Sequence, residues 1–389
     1  MNRQTYLLLA AASSLPLGFL ALCLGSNAPG AVAQTTTPAS ASPALLASPK
    51  AAVVVDAADA FLATLSAEQR AIAQIELKPE LAVHWTSFPG GSNVRNSVFY
   101  RDLKPGQVEA ALKVARVALG EEGFSRYQEV RAADDVLAKG RGGRGAGGPG
   151  EPDQKKGGGD PAQKQAGGAA QKKGGPGGEF NFGAANYMIA FLGKPSKTDP
   201  WILQLGGHHL AINFYYKGTV GTATPYHVAA QPTVWKDDHG KTHDPLAPMR
   251  DSLRGLLASL TPEQSRRAKL EARFNDVYVG PGKDGKFPAK SEGVPVSELS
   301  DDSKDFVRKA IEAWAGDSPQ GLEYRKLYLA ELDKVNVSYS GTTNVGGELG
   351  DYVRLDGPRV WIEFATQGSD HYHTIWRDRL TDYGAEFSF

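Results

Sequence analysis

The sequence predicts an α+β fold: helix pairs followed by largely antiparallel sheet. Apolar residues recur at helical spacing in two blocks, over 57–139 and 253–332. Each block gives way to short β-rich runs, over 187–227 and 335–378. Helices and strands are therefore segregated, which argues against βαβ winding, and no G-x-G-x-x-G, P-loop, G-x-S-x-G or H-E-x-x-H occurs.

A chain of 389 residues can make two domains or one large one. We expect a single α+β domain over 56–389, with candidate halves 56–230 and 250–389. Lys+Arg and Asp+Glu both number 43, so the formal charge is +0 and no nucleic-acid partner is expected.

Residues 1–33 read as a signal peptide. Arg3 supplies the positive start, 7–24 is apolar, and Ala31-Val32-Ala33 forms a cleavage site before Gln34. The competing reading is a membrane anchor, which Pro16, Gly18 and two serines weaken. Membrane contact is thus expected only through the signal peptide, and the mature protein is expected in the periplasm or outside the cell. A lipoprotein reading through Cys23 is poorer, because Leu22 sits where a small residue is wanted. Cys23 is the only cysteine, so the mature chain would carry no disulfide, thiolate ligand or cysteine nucleophile. Any metal must then be held by His, carboxylate or backbone oxygen.

Residues 34–55 read as a disordered tether rich in Ser, Thr, Pro and Ala. Ala57, Phe61, Leu62, Leu65, Ile72 and Ile75 then recur at helical spacing, with Ser66 placed to cap a second helix and Lys78-Pro79 to end it. His84-Trp85 falls in a packed loop. Pro105-Gly106 opens a helix over 107–119, Gly120 and Gly123 punctuate it, and another helix follows over 124–139. The Gly/Lys-rich insert at 140–178 has no large apolar residue to bury and reads as disordered. Its basic charge suits a tether to an anionic polymer, but a tolerated surface insertion is the simpler reading.

Strands are expected over 187–193, 201–205 and 210–216, with a Gly206-Gly207 break, and an edge element over 224–227. His239 and His243 lie in the polar segment 232–247. An exposed loop is preferred there over a loose metal site. Helices follow over 253–260, from Thr261-Pro262, and over 303–314 and 322–332, with a loop at 280–297. Strands are expected over 335–340, 352–355 and 359–365. The two halves rhyme: 61–70 resembles 256–265, and Trp201 before His208-His209 echoes Trp361 before His371 and His373. A duplicated helices-then-strands unit would explain this, as would convergent amphipathic patterning.

The stretch 370–378 concentrates the chemistry. On a strand, His371, His373, Ile375 and Arg377 share one face. His208-His209 is the segment expected to meet them. Adjacent strand residues face opposite ways, and His209 is preferred because Asn213 shares its face. Three imidazoles with an open position suit zinc, or copper as an alternative. Glu363, a charge in an apolar strand, could ligate, orient an imidazole or act as a base. Arg377 could clamp a substrate anion, with Asp378 and Asp382 in the same ligand-binding region. The bland reading makes Arg377 part of a structural ion pair with Asp378 or Asp382, and makes Trp376, Trp201 and Tyr383 core.

These residues resemble a bacterial family known as domain of unknown function number thirty-five hundred, from about Ala57 to Gly384. The match includes the helix near Glu68-Gln69-Arg70, the segments 191–196 and 207–214, and most specifically 371–378 with Asp382-Tyr383-Gly384. The resemblance implies no activity. Three functions compete on the chemistry: an exported metal-dependent hydrolase, a non-catalytic envelope protein that binds a small anionic ligand or metal, and a structural partner module.

Overall fold

The computed structural model describes residues 43–90, 95–96, 98–142 and 182–389. The expected signal peptide, and the insert beyond Gly142, lie outside the described residues. Among the described residues no helix is long and apolar enough to cross a membrane. In chain order the elements are β1 (Leu46–Ala47), α1 (Ala51–Ala63), α2 (Ala67–Ala73), β2 (Gln74–Ile75), α3 (Pro79–Ala82), β3 (Val98–Phe99) and α4 (Pro105–Gly142). There follow β4 (Met188–Leu192), β5 (Pro200–Gly207), β6 (Leu210–Lys217), β7 (Val220–Thr222), β8 (Tyr226–Ala230), β9 (Trp235–Lys236), β10 (Thr242–His243), α5 (Ala247–Ser259) and α6 (Pro262–Ala268). The chain ends with β11 (Val294–Pro295), α7 (Asp301–Ala315), α8 (Pro319–Ala330), β12 (Asn336–Ser340), β13 (Tyr352–Asp356), β14 (Val360–Gly368) and β15 (His371–Asp378).

Local chemistry sets the helix ends. Ser66 and Thr261 each open a helix with a capping box, accepting from the backbone of Gln69 and Gln264 while those side chains accept in return. Pro105 and Pro262 open helices as expected, and Gly120, at φ 70°, breaks α4 where the sequence places two helices. Order begins earlier than expected. Leu46 and Ala47 pair with β7 and α1 starts at Ala51, so the tether read over 34–55 does not extend into its second half. Val54, Val55 and Ala58 have an apolar core to enter, which the composition of the segment hid.

Ten strands run in the order β11-β12-β13-β14-β15-β8-β6-β5-β4-β2, with β3, β7 and β1 attached at its sides. All named pairs are antiparallel except β2 with β4. The segment 224–227, expected at an edge, instead lies mid-sheet, with β8 between β15 and β6. One sheet face packs on the helices: Trp314 donates its Nε1–H to Thr374 at 3.1 Å, and Tyr328 stands edge-on to Trp376. The other face carries His373, Ile375 and Arg377 and is covered by loops, with Trp85, Phe274 and Val277 packing on Ala211, Ala365 and Ile375.

The two halves are copies in topology. Each has a helix, a capping-box helix and a short parallel contact, Gln74–Phe191 in one and Lys269–Tyr339 in the other. In each, the capping Gln also donates to a distant carbonyl, that of Asp102 or Glu298. A short strand, a 3-10 turn, long helices and four antiparallel strands follow in both. The quartets β4-β5-β6-β8 and β12-β13-β14-β15 meet at the β8–β15 pair, across a pseudo-twofold. Aligning Tyr226-His227 with Tyr372-His373 is consistent with that register, in which Tyr226 faces Trp376 and Tyr372 faces Ala230. The strand of Trp201 therefore corresponds to β13 and not, as the sequence match suggests, to the strand of Trp361.

Past the insert the chain docks back on α4, because Gly183 N–H donates to Asp134 in its C-terminal part. Replacing residues 143–181 with a short Gly-Ser link is expected to move the melting temperature by no more than about 3 °C, since closure entropy grows slowly with loop length. Differential scanning calorimetry checks this, and a drop several times larger would show that the segment packs.

Candidate metal centre

The β5–β6 hairpin turns on His208 and His209, not on the preceding glycines, which remain in the strand. Gly207 is needed there, because a Cβ would sit 2.5 Å from the Tyr187 ring, whose hydroxyl donates to His208 O at 2.6 Å. His209 takes φ 65°, a left-handed conformation that costs a non-glycine residue on the order of 1 kcal/mol or more. Its backbone is held from both sides, by Ser87 O and by Ala229 N–H. The turn sends the two imidazoles to different partners while their rings stack at 3.6 Å. His208 is hydrogen-bonded through Nδ1 to buried Asp134 at 2.6 Å. His209 reaches across the end of the sheet to the β14–β15 hairpin.

There three Nε2 atoms converge. His209 and His371 approach to 3.0 Å, His371 and His373 to 2.9 Å, and all three ligand atoms lie within 4.8 Å of one another. Two nitrogens on one ion at about 2.0–2.1 Å are separated by roughly 2.9–3.4 Å for angles of 90–110°, so both close pairs fit a shared metal. His371 and His373 share a face as expected, and a β-bulge between Thr366 and Gly368 lies opposite them. Burial, reinforced by the neighbouring imidazoles, pulls His209 well below the ordinary histidine range and keeps it in the neutral form a metal needs.

His373 has a carboxylate partner that the sequence did not reveal. Its Nδ1 lies 2.8 Å from Asp276 Oδ1. Burial raises the Asp276 carboxyl, but the hydrogen bond and charge of His373 outweigh this and hold it below the usual range. An ionised carboxylate only accepts, so Nδ1 carries the proton and the Nε2 lone pair faces the cluster.

Glu363 takes none of the roles expected of it, and Arg377 makes the structural ion pair with Asp382 and not the substrate clamp. Glu363 is fully buried, and both carboxylate oxygens are taken: Oε1 by Val279 N–H at 2.8 Å and Trp361 Nε1–H, Oε2 by Tyr278 N–H and the Tyr352 hydroxyl. Burial raises its pKa against these four donors. No lone pair is left to serve as a base or ligand. Arg377 points its Nε at Val279 O, Nη2 at Gly280 O, and Nη1 at Asp284 and Asp382, both at 3.0 Å. Burial would lower its pKa, yet these carboxylates outweigh it and keep the guanidinium charged. Both residues clamp the loop that presents Asp276.

The remaining expected ligand-binding residues are also committed elsewhere. Asn213 shares the right face but bonds Gln204 and Pro225 O, so the argument that favoured His209 is not the one that operates. Asp378 lies on the helix-facing side, held by Tyr328 and Arg359. Asp382 accepts from Arg377 and from Asp378 N–H. His243 stacks on Trp235 in the separate β9–β10 pair, and His84 bonds Asn96.

His227 was overlooked because its segment reads as a turn. It is fully buried, 5.5 Å ring to ring from His373, and neither ring nitrogen has a hydrogen-bond partner. The repeated Tyr-His dipeptide was the available signal. Asp276 had none, as it lies in an irregular loop.

Two outcomes follow. Glu363→Ala would strand two backbone and two side-chain donors in the core and is expected to destabilise the fold by roughly 3–5 kcal/mol in chemical denaturation. A near-neutral effect would return Glu363 to a purely functional role. Burial, then the neighbouring His373 and Arg377, pushes His227 down to about 3, against about 6.5 in an unfolded chain. Its contribution to stability is therefore complete above pH ~6.5 and is lost on acidification toward 3, at up to about 1.4 kcal/mol per pH unit. Denaturation of chelator-treated protein between pH 7.5 and 4.5 should be steeper for wild type than for His227→Leu.

No curated protein and no solved structure is detectably similar to the chain. One family model matches residues 47–385, which spans both topological halves, the converging histidines and the clamped loop. The chain belongs to that family, described as Protein of unknown function (DUF3500).

Proposed function

We propose that the protein is an exported metalloprotein in which His209, His371 and His373 hold one zinc or copper ion, and that it works as a metal-dependent hydrolase. The observation that carries this reading is the donor set. Three imidazole nitrogens converge, and no fourth His, Cys, Asp or Glu completes the group among the described residues. Closed four-ligand sites are structural, whereas three protein ligands leave a position for water or substrate. The ion would supply Lewis acidity. The protein's own part is to hold His209 neutral, to fix the His373 tautomer through Asp276, and to bury the centre on two sides while His371 stays partly exposed. Export rests on the signal-like N-terminus.

A second reading, a non-catalytic binding protein for a metal or small anion, gains from the commitment of Glu363 and Arg377 to the loop clamp. Neither a free base nor an anion clamp is then ready beside the histidines.

Elemental analysis of purified protein is expected to find near-stoichiometric zinc or copper, lost in a folded His371→Ala, His373→Ala double variant. Equal, negligible metal in both would sink the metal centre. Metal without turnover of ester, amide or phosphoester substrates would favour the binding protein. Asp276→Asn should fold normally and bind the metal about 10–100-fold more weakly, as loss of an outer-shell carboxylate does. Equilibrium dialysis measures this.

A further inference from the structure

The loop that Glu363 and Arg377 pin to the sheet also forms a cleft of about 460 Å3, within the range of small-ligand sites. Arg273, Lys283 and Lys286 line it, together with Phe274, Asp276 and Tyr278. Three cations face one carboxylate, and Asp276 is already turned to His373 and to Val277 N–H. Among the described residues none of the three cationic side chains has an ion-pair or hydrogen-bond partner, whereas Arg250, Arg267, Arg359 and Arg377 all pair with carboxylates. The cleft is thus a local positive well on a chain of formal charge +0. Its wall is rigid and aromatic: Phe274 stacks on Tyr352 at 4.2 Å, and Tyr278 stands edge-on to Phe274 with 45% of its surface exposed.

We propose that this cleft, which meets His373 only through Asp276 on the Nδ1 side, binds a small organic anion, a carboxylate or phosphate joined to a flat apolar group. The proposal stands independently of the metal-centre reading. The cations hold the anionic group, and the ring of Tyr278 covers the apolar part. Recognition here is electrostatic and aromatic together, so the anionic half alone binds weakly and the ring alone does not bind.

The test is titration of phenyl phosphate, inorganic phosphate and phenol into the full-length mature protein by calorimetry, with zinc and with chelator. Saturable binding of phenyl phosphate is expected in both conditions, weaker for phosphate and absent for phenol. An Arg273→Ala, Lys283→Ala, Lys286→Ala variant should bind at least about tenfold more weakly with unchanged metal content. The milder Lys283→Gln, Lys286→Gln pair, at exposed positions, should show a smaller loss in the same direction. No saturable binding, or binding that survives in both variants, overturns the proposal. Binding that chelator abolishes and the variants retain would place the anion on the metal, sinking the cleft and sparing the centre. Cleft binding by a protein that takes up no metal would do the reverse.

Discussion

The arrangement of this protein depends on a buried carboxylate and a buried guanidinium that grip one loop from the same sheet face. Glu363 accepts from the backbone of Tyr278 and Val279, and Arg377 donates to the carbonyls of Val279 and Gly280. Each charge would be costly if left unpaired. Satisfied this way, they convert an irregular segment with no ladder of its own into a fixed wall. Asp276 is thereby set against His373, and the cationic cleft takes its shape. Charges that look catalytic in a one-dimensional reading thus act as anchors, and the functional geometry is one step removed from them.

The histidines are drawn from two hairpin ends that the antiparallel β8–β15 and β6–β8 pairings bring side by side. Bringing three imidazoles to 3 Å contacts is tolerable only while they are neutral or metal-bound. Burial and mutual repulsion both favour that state in His209. The left-handed backbone at His209 is a local cost that the flanking bonds to Ser87 and Ala229 hold in place.

The pseudo-symmetry of the sheet does not extend to the histidine centre. The pseudo-twofold pairs His373 with His227, but by register the position matching His209 is Glu363 and that matching His371 is Pro225. One place holds three imidazoles, and the related place holds one histidine and a carboxylate that grips the loop. His227 is buried without hydrogen-bond partners.

The sequence by itself determined the class of fold, the helix ends and the shared face of His371 and His373. All of these are local: capping boxes at Ser66 and Thr261, proline and glycine punctuation, and the two-residue period of a strand. Only the tertiary structure decided which of His208 and His209 joins the cluster, because a two-residue turn, not strand alternation, sets their directions. It also decided that Glu363 and Arg377 are anchors, since their partners lie 84 to 98 positions away in a loop without periodicity. His227 and Asp276 were hidden for the same reason. What brings them to His373 is the pairing of β8 with β15 and the packing of a loop on the sheet, and neither contact leaves a pattern along the chain.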